Sequence, residues 1–401
     1  MRLAGIIRLK HFLLVLIGLI AGFLIAEIGL RIYLAKTAPI EPVACKHEDP
    51  IVHHGYNPNT ICRYKTKEWN TEIRINSIGL RNKEIGEKNK FRVLVLGDSF
   101  TAAESVNLEK TAVYLAEQNL NNEGKNAEVI NAGIPSYSPI LEYLWLREFG
   151  LELMPDLVIL NFDLGDVSGD NFLNDYYLGK EETLDENFSF RKQSWSDNLW
   201  KDTRWQLTTT RGEKPLTLAS KIKFWLHTNV KVYNFIAEST KKIARKIKGV
   251  PEEPIYVLGD VKNDFEYVTR SEDNANNLEV YKISIENLKR INRLLTNNHI
   301  QFIVVFFPHG HQVSGNEWAE GRQFYGLEKG KLYSRKSIYT LMEMSEEVGI
   351  EAYDTSNYFI NADPLLFPLF YPFDGHFTEN GNMVMAKALT DIIRNKLSIN
   401  E

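Results

Sequence analysis

The stretch Arg92-Val93-Leu94-Val95-Leu96-Gly97-Asp98-Ser99-Phe100-Thr101 decides how this chain is read. A β-branched, apolar run stops abruptly at Gly-Asp-Ser. Near-continuous apolar runs of this length suit strands buried on both faces, as in parallel sheets. The serine then falls just past the carboxyl end of a strand, the edge at which open α/β sheets bind ligands. Alone, Gly-Asp-Ser is a weak signal, because a tight turn followed by a helix N-cap uses the same residues.

Working outward, strand and helix patterns alternate from Phe91 onward. Strands are expected at 91–96, 127–131, 156–162, 301–307 and 350–353. Helices are expected at 108–122, 139–150, 276–298, 335–348 and 379–397. That rhythm predicts an α/β domain over 91–401 with a parallel sheet covered on both faces. Residues 36–90 read as a polar, turn-rich lead-in with one edge strand over Glu72-Ile73-Arg74-Ile75-Asn76. From about 168 to 275 the rhythm breaks. Between Arg191 and Lys248 there are fourteen Lys/Arg against four Asp/Glu, which marks a basic insertion. Ile222, Leu226, Tyr233, Ile236, Ile243 and Ile247 fall on one helical stripe within it. Packing of that stripe on the parent domain is favoured over its lying on the membrane or on an anionic substrate.

At the other end, Arg2, Arg8 and Lys10 precede the uncharged run Phe12 to Ala26, followed by Glu27 and Arg31. A membrane-spanning helix needs roughly 20 apolar residues. Glu27 and Arg31 lie four apart and can pair on one helix face near an interface, giving a single span over about His11 to Ala35. A cleaved signal peptide is the rival, disfavoured because no small-x-small site follows the apolar run. Basic residues ahead of the span place residues 1–35 as a cytoplasmic tip and anchor, with the main domain outside the cytoplasmic membrane. Cys45 and Cys62, both in the exported part, are expected to pair as a disulfide, two buried thiols being the alternative. The net charge of −5 argues for no particular partner, and no stretch resembles a nucleic-acid-binding motif.

Three blocks carry chemistry. Ser99 is a weak nucleophile unless a base adjoins it. Asn131-Ala132-Gly133 follows the second strand, where a backbone N–H can join that of Ser99 in an oxyanion hole. Asp374-Gly375-His376 precedes the last helix, supplying a base, His376, and a carboxylate, Asp374, to hold its tautomer. Together with Phe377-Thr378-Glu379-Asn380-Gly381 and the lead-in Ile75-Asn76-Ser77-Ile78-Gly79-Leu80-Arg81, these blocks resemble the SGNH (GDSL) hydrolase superfamily in its membrane-anchored bacterial branch. The resemblance covers about Phe91 to Leu397. It implies a flavodoxin-like three-layer sandwich and ester chemistry without a cofactor or metal. It implies Ser99 as nucleophile, His376 as base, Asp374 as its partner, and Ser99 and Gly133 as oxyanion donors.

One block departs from the pattern. In Asn161-Phe162-Asp163-Leu164-Gly165-Asp166-Val167, Asp166 stands where the resemblance calls for a third, asparagine donor. An ionised carboxylate there would repel an oxyanion. Four resolutions remain: Asp166 points away, it is protonated, the hole has two donors, or Asn171 substitutes. His309 and His311 follow the fourth strand and are candidates to line an acceptor pocket, though loop histidines without a role are commoner. The expected function is an extracytoplasmic esterase or O-acyltransferase acting on a cell-envelope glycan or lipid-linked sugar, with a membrane acyl-donor protein as an implied partner. The alternative is a catalytically weakened glycan-binding or membrane assembly module. A third reading is a lipid esterase whose insertion meets the bilayer.

Overall fold

The computed structural model describes residues 2–37, 45–49, 51–173 and 278–400, with isolated positions between 226 and 240. The insertion expected at 168–275, with its amphipathic stripe, lies almost wholly outside the described residues. Helix α1 (Arg2–Thr37) contains a 20-residue segment, Leu14–Tyr33, long and apolar enough to cross a membrane. Anchors and signal sequences share that profile. Within it, Arg31 Nη2 lies 2.7 Å from Glu27 Oε1, the pair expected from the four-residue spacing.

The lead-in forms two antiparallel hairpins. One joins β1 (Lys46–Asp49) to β2 (His53–Tyr56), the other β3 (Ile61–Lys65) to β4 (Asn70–Arg74). The strand expected at 72–76 sits two residues earlier. Asn76 ends it by turning its side chain onto the N–H groups of Ile78 and Leu80. A disulfide joins Cys45 to Cys62, tying the second hairpin to the start of the first. Val52, Tyr56, Ile73, Ile75 and Leu80 are buried in the same core as the main sheet, so the lead-in is part of the sandwich.

Five strands form one parallel sheet: β5 (Phe91–Gly97), β6 (Ala127–Gly133), β7 (Leu157–Phe162), β8 (Gln301–Phe306) and β9 (Glu351–Asp354). Their order is β6-β5-β7-β8-β9. Numbered within the sheet this is 2-1-3-4-5, the flavodoxin-like order, whose switch point lies between β5 and β7.

Side chains alternate across the sheet because successive strand residues face opposite ways. Leu94, Leu96, Ile130, Val158, Leu160 and Val304 face one layer. That layer is made by α4 (Pro139–Glu148), a helix at Lys282–Asn297 and another at Lys336–Glu347. Val93, Val95, Val129, Ile159, Ile303 and Val305 face α3 (Ala112–Asn122) and the terminal helix Glu379–Asn400. Each fully buried Leu or Ile contributes about 1.5–3 kcal/mol, so the three layers are held from both faces of the sheet.

Candidate active site

Strand β5 ends at Gly97, whose φ is +151°. An added Cβ there would lie 2.2 Å from Thr101 Oγ1 and 3.1 Å from Asn161 O. Only glycine allows this close turn. Asp98 caps the short helix α2 (Ser99–Ala102), its Oδ1 accepting from the Phe100 N–H at 2.8 Å. Ser99 is thus the first helical residue. Wholly buried Arg81 grips the other end of α2, donating from Nη1 to Ala102 O and Ala103 O at 2.7 Å each, and from Nη2 to Val106 O at 2.5 Å.

His376 is brought to Ser99 from 277 residues away: Nε2 lies 2.7 Å from Ser99 Oγ. Its Nδ1 hydrogen-bonds Asp374 Oδ1, which also accepts the His376 N–H at 3.1 Å. Gly375 between them has φ +92°, and a Cβ would press on the Trp318 indole at 2.6–2.9 Å. The loop is closed by Tyr371 N–H donating to His376 O at 2.9 Å, and by a bridge between Phe370 and Phe377. The imidazole is about one-third exposed. The arrangement orders a hydroxyl, an imidazole and a carboxylate as a proton-transfer line.

The charges around this line are mostly acidic. Burial works against a charged His376, but Asp374 beside it outweighs that and, with Asp98 and Asp163, pushes its pKa up to about 9. Burial and then the Asp163 charge raise Asp98 to about 7. Burial also disfavours the charge on Asp163, yet His309 and the Gly165 N–H hold its carboxyl below the usual range. Carboxylate oxygens of Asp98, Asp163 and Asp166 lie within 4.8 Å of one another. Each of the three carboxyls also accepts or shares a hydrogen bond within the protein, Asp98 with the Phe100 N–H, Asp163 with His309 and Asp166 with the Asp163 N–H.

The oxyanion expectations need correction. The Gly133 N–H donates to Asn131 Oδ1 at 2.9 Å. Its glycine character serves packing instead, since a Cβ would lie 2.4 Å from Ala102 N of α2. Asp166 Oδ2 accepts the Asp163 N–H at 2.9 Å. Burial, then the charges of Asp98, Glu142 and Asp163, push the Asp166 carboxyl well above its ordinary range. Asn171 does not substitute: its Nδ2 donates to Val167 O and Val280 O, both at 2.9 Å.

His309 and His311, expected to line an acceptor pocket, are both buried. His309 caps the short helix Gly310–Val313, its N–H donating to Gln312 Oε1 at 3.0 Å, and its Nε2 hydrogen-bonds Asp163 Oδ1. His311 packs against Trp318 and Tyr333, with ring centroids 5.6 and 5.5 Å away. Burial first, then nearby His309 and Arg322, hold its pKa well below 6.5.

Two residues at the site escape sequence reading. Glu68, in the β3–β4 turn, accepts from the N–H groups of Phe373 and Asp374. Buried Glu317 accepts from those of Leu369 and Phe370. Neither lies in a recognisable motif. Arg81 had a local signal, the Ile-Gly-Leu-Arg turn, but not its role.

No family model and no curated protein matches the sequence. Several solved structures are similar. The acetyl xylan esterase AlAXEase is 12% identical, with 75% of this chain and 99% of that one covered, at TM-score 0.36. The psychrotrophic esterase EstA from Pseudoalteromonas sp. is 11% identical, with 77% and 100% covered, at TM-score 0.37. A GDSL-like lipase from Bacteroides thetaiotaomicron is 11% identical, with 76% and 89% covered, at TM-score 0.33.

Proposed function

We propose that this protein is a serine-dependent ester hydrolase or O-acyltransferase of the cell envelope. The observation that carries this reading is the 2.7 Å contact of His376 Nε2 with Ser99 Oγ, with Asp374 on the far side of the ring. Neutral His376 takes the Ser99 proton as Oγ bonds to the ester carbonyl carbon. The Ser99 N–H, at the N-terminus of α2, is the backbone donor offered to the oxyanion. The ester C–O bond then breaks and the departing alcohol takes the proton from His376, leaving an acyl-serine. Water or a sugar hydroxyl next gives its proton to His376 and attacks the acyl carbon, the bond to Ser99 Oγ breaks, and His376 returns the proton to Oγ, releasing acid or ester and the free serine. Hydrolysis and transfer differ only in that second nucleophile.

An apolar helix preceded by Arg2, Arg8 and Lys10, together with the Cys45–Cys62 disulfide, supports a main domain outside the cytoplasmic membrane. The substrate in this reading is an ester on an envelope glycan or lipid-linked sugar. A membrane protein delivering acyl groups would be the partner if the acceptor is a sugar.

The engaged Gly133 N–H favours a second reading, a glycan-binding or assembly module with weakened chemistry. The test is labelling of the full-length chain in detergent by a fluorophosphonate, comparing wild type with Ser99→Ala and His376→Ala. Labelling that needs both residues is expected. Folded wild type that resists the probe would overturn the enzymatic reading and leave the binding module.

A further inference from the structure

We infer that Glu68 of the lead-in hairpin is a positioning residue of the active site, gripping the Asp374–His376 loop so that the imidazole meets Ser99. The inference rests on the triad reading above. The β3–β4 turn carries Glu68, and the turn is itself pinned, because Thr66 Oγ1 accepts the N–H groups of Glu68 and Trp69 at 3.1 and 3.2 Å. Trp69 is buried and packs against Tyr371, the rings tilted by 45° with centroids 4.9 Å apart. From that base the two Glu68 oxygens reach separate donors: Oε1 takes the Phe373 N–H at 2.9 Å and Oε2 the Asp374 N–H at 2.8 Å. Asp374 itself carries the oxygen that holds His376 Nδ1.

The chemistry is specific to a carboxylate. Hydrogen bonds from N–H to an ionised acceptor are roughly twice as strong as neutral ones. Both oxygens are used, so a glutamine would turn its NH₂ toward a donor and lose one bond. The grip spans 306 residues of sequence. Removing it releases the backbone of Asp374, and a displacement of about 1 Å at a base can cost on the order of 100-fold in rate.

Three measurements on the full-length chain test this. Turnover of p-nitrophenyl acetate by Glu68→Gln is expected to fall on the order of 10- to 100-fold in kcat, with KM within about twofold. Hydrogen exchange of the peptide covering 370–377 is expected to speed up in the variant. In a double-mutant cycle with Asp374→Asn, the double variant is expected to be no slower than Asp374→Asn alone, because both act through the same group. Multiplying effects in that cycle, or unchanged exchange in the peptide, would overturn the inference. If Glu68→Gln does not fold, Glu68→Asp keeps the charge but withdraws it by one methylene, and the same losses are expected. If wild type shows no fluorophosphonate labelling, the triad reading fails, and the exchange measurement alone decides whether Glu68 holds the loop.

Discussion

The two halves of the proton-transfer line are held in different ways. Ser99 sits on a junction whose turn and cap are close in sequence, Gly97 turning the chain and Asp98 capping α2, on a strand paired on both sides. The 369–377 loop carrying His376 has little regular structure. It is held by carboxylates from remote segments, Glu68 on Phe373 and Asp374, and Glu317 on Leu369 and Phe370. A strand-to-helix junction brings its own hydrogen bonds, whereas a loop at a sheet edge must borrow them. Damage at the serine end should therefore appear as lost stability, and damage at the histidine loop as lost rate.

The largest expected effect is on the loop side. Asp374→Asn should reduce ester turnover on the order of 10⁴-fold by leaving His376 in the wrong tautomer, with the unfolding midpoint little changed. A large drop in that midpoint would erase the contrast. On the other side, Gly97→Ala should destabilise the main domain by about 2–4 kcal/mol, read from denaturant unfolding, because its Cβ has no room against Thr101 and the φ is unfavourable. Near-wild-type stability would mean that the junction is more pliant than its contacts imply.

The pH dependence sharpens the loop side further. His376 accepts the Ser99 proton only when neutral, and its acidic surroundings raise its pKa to about 9. Turnover should therefore climb between about pH 7 and 9. A plateau from pH 6.5 upward would show that the neighbouring acids carry less charge than the geometry suggests. The smallest effect is expected for Asp166→Asn. A carboxyl and an amide are close in shape, and the oxygen of either can accept the Asp163 N–H, so turnover should change by less than about 10-fold. A gain of about 10²–10³, the usual worth of an oxyanion donor, would place position 166 at the oxyanion after all.

Much of the fold was legible because the buried strands are near-continuous apolar runs. All five sheet strands lie within two residues of where periodicity puts them. The helix expected at 108–122 is a 3₁₀ turn over Leu108–Lys110 followed by a helix from Ala112, with Thr111 as the cap. The first hairpin was missed because Lys46–Asp49 and His53–Tyr56 are short and polar. At the site, Ser99, Asp374 and His376 could be nominated from local motifs. The partners of Gly133 and Asp166 could not, because a nearby side chain or N–H decides them and neither leaves a spacing signal.

Sequence by itself determined the parallel α/β sheet, the serine at its edge, the apolar N-terminal helix and the Glu27–Arg31 pair. These follow from local periodicity and from spacing along a single element. The tertiary structure alone placed the lead-in in the sandwich core and tied His309 to Asp163. It also decided that Asp166 is a buried acid and that Glu68 grips the histidine loop. In each of these cases the deciding contact joins groups whose burial and partners are created by chain crossings, and hydrogen bonds and desolvation act at a few ångströms whatever the distance along the chain.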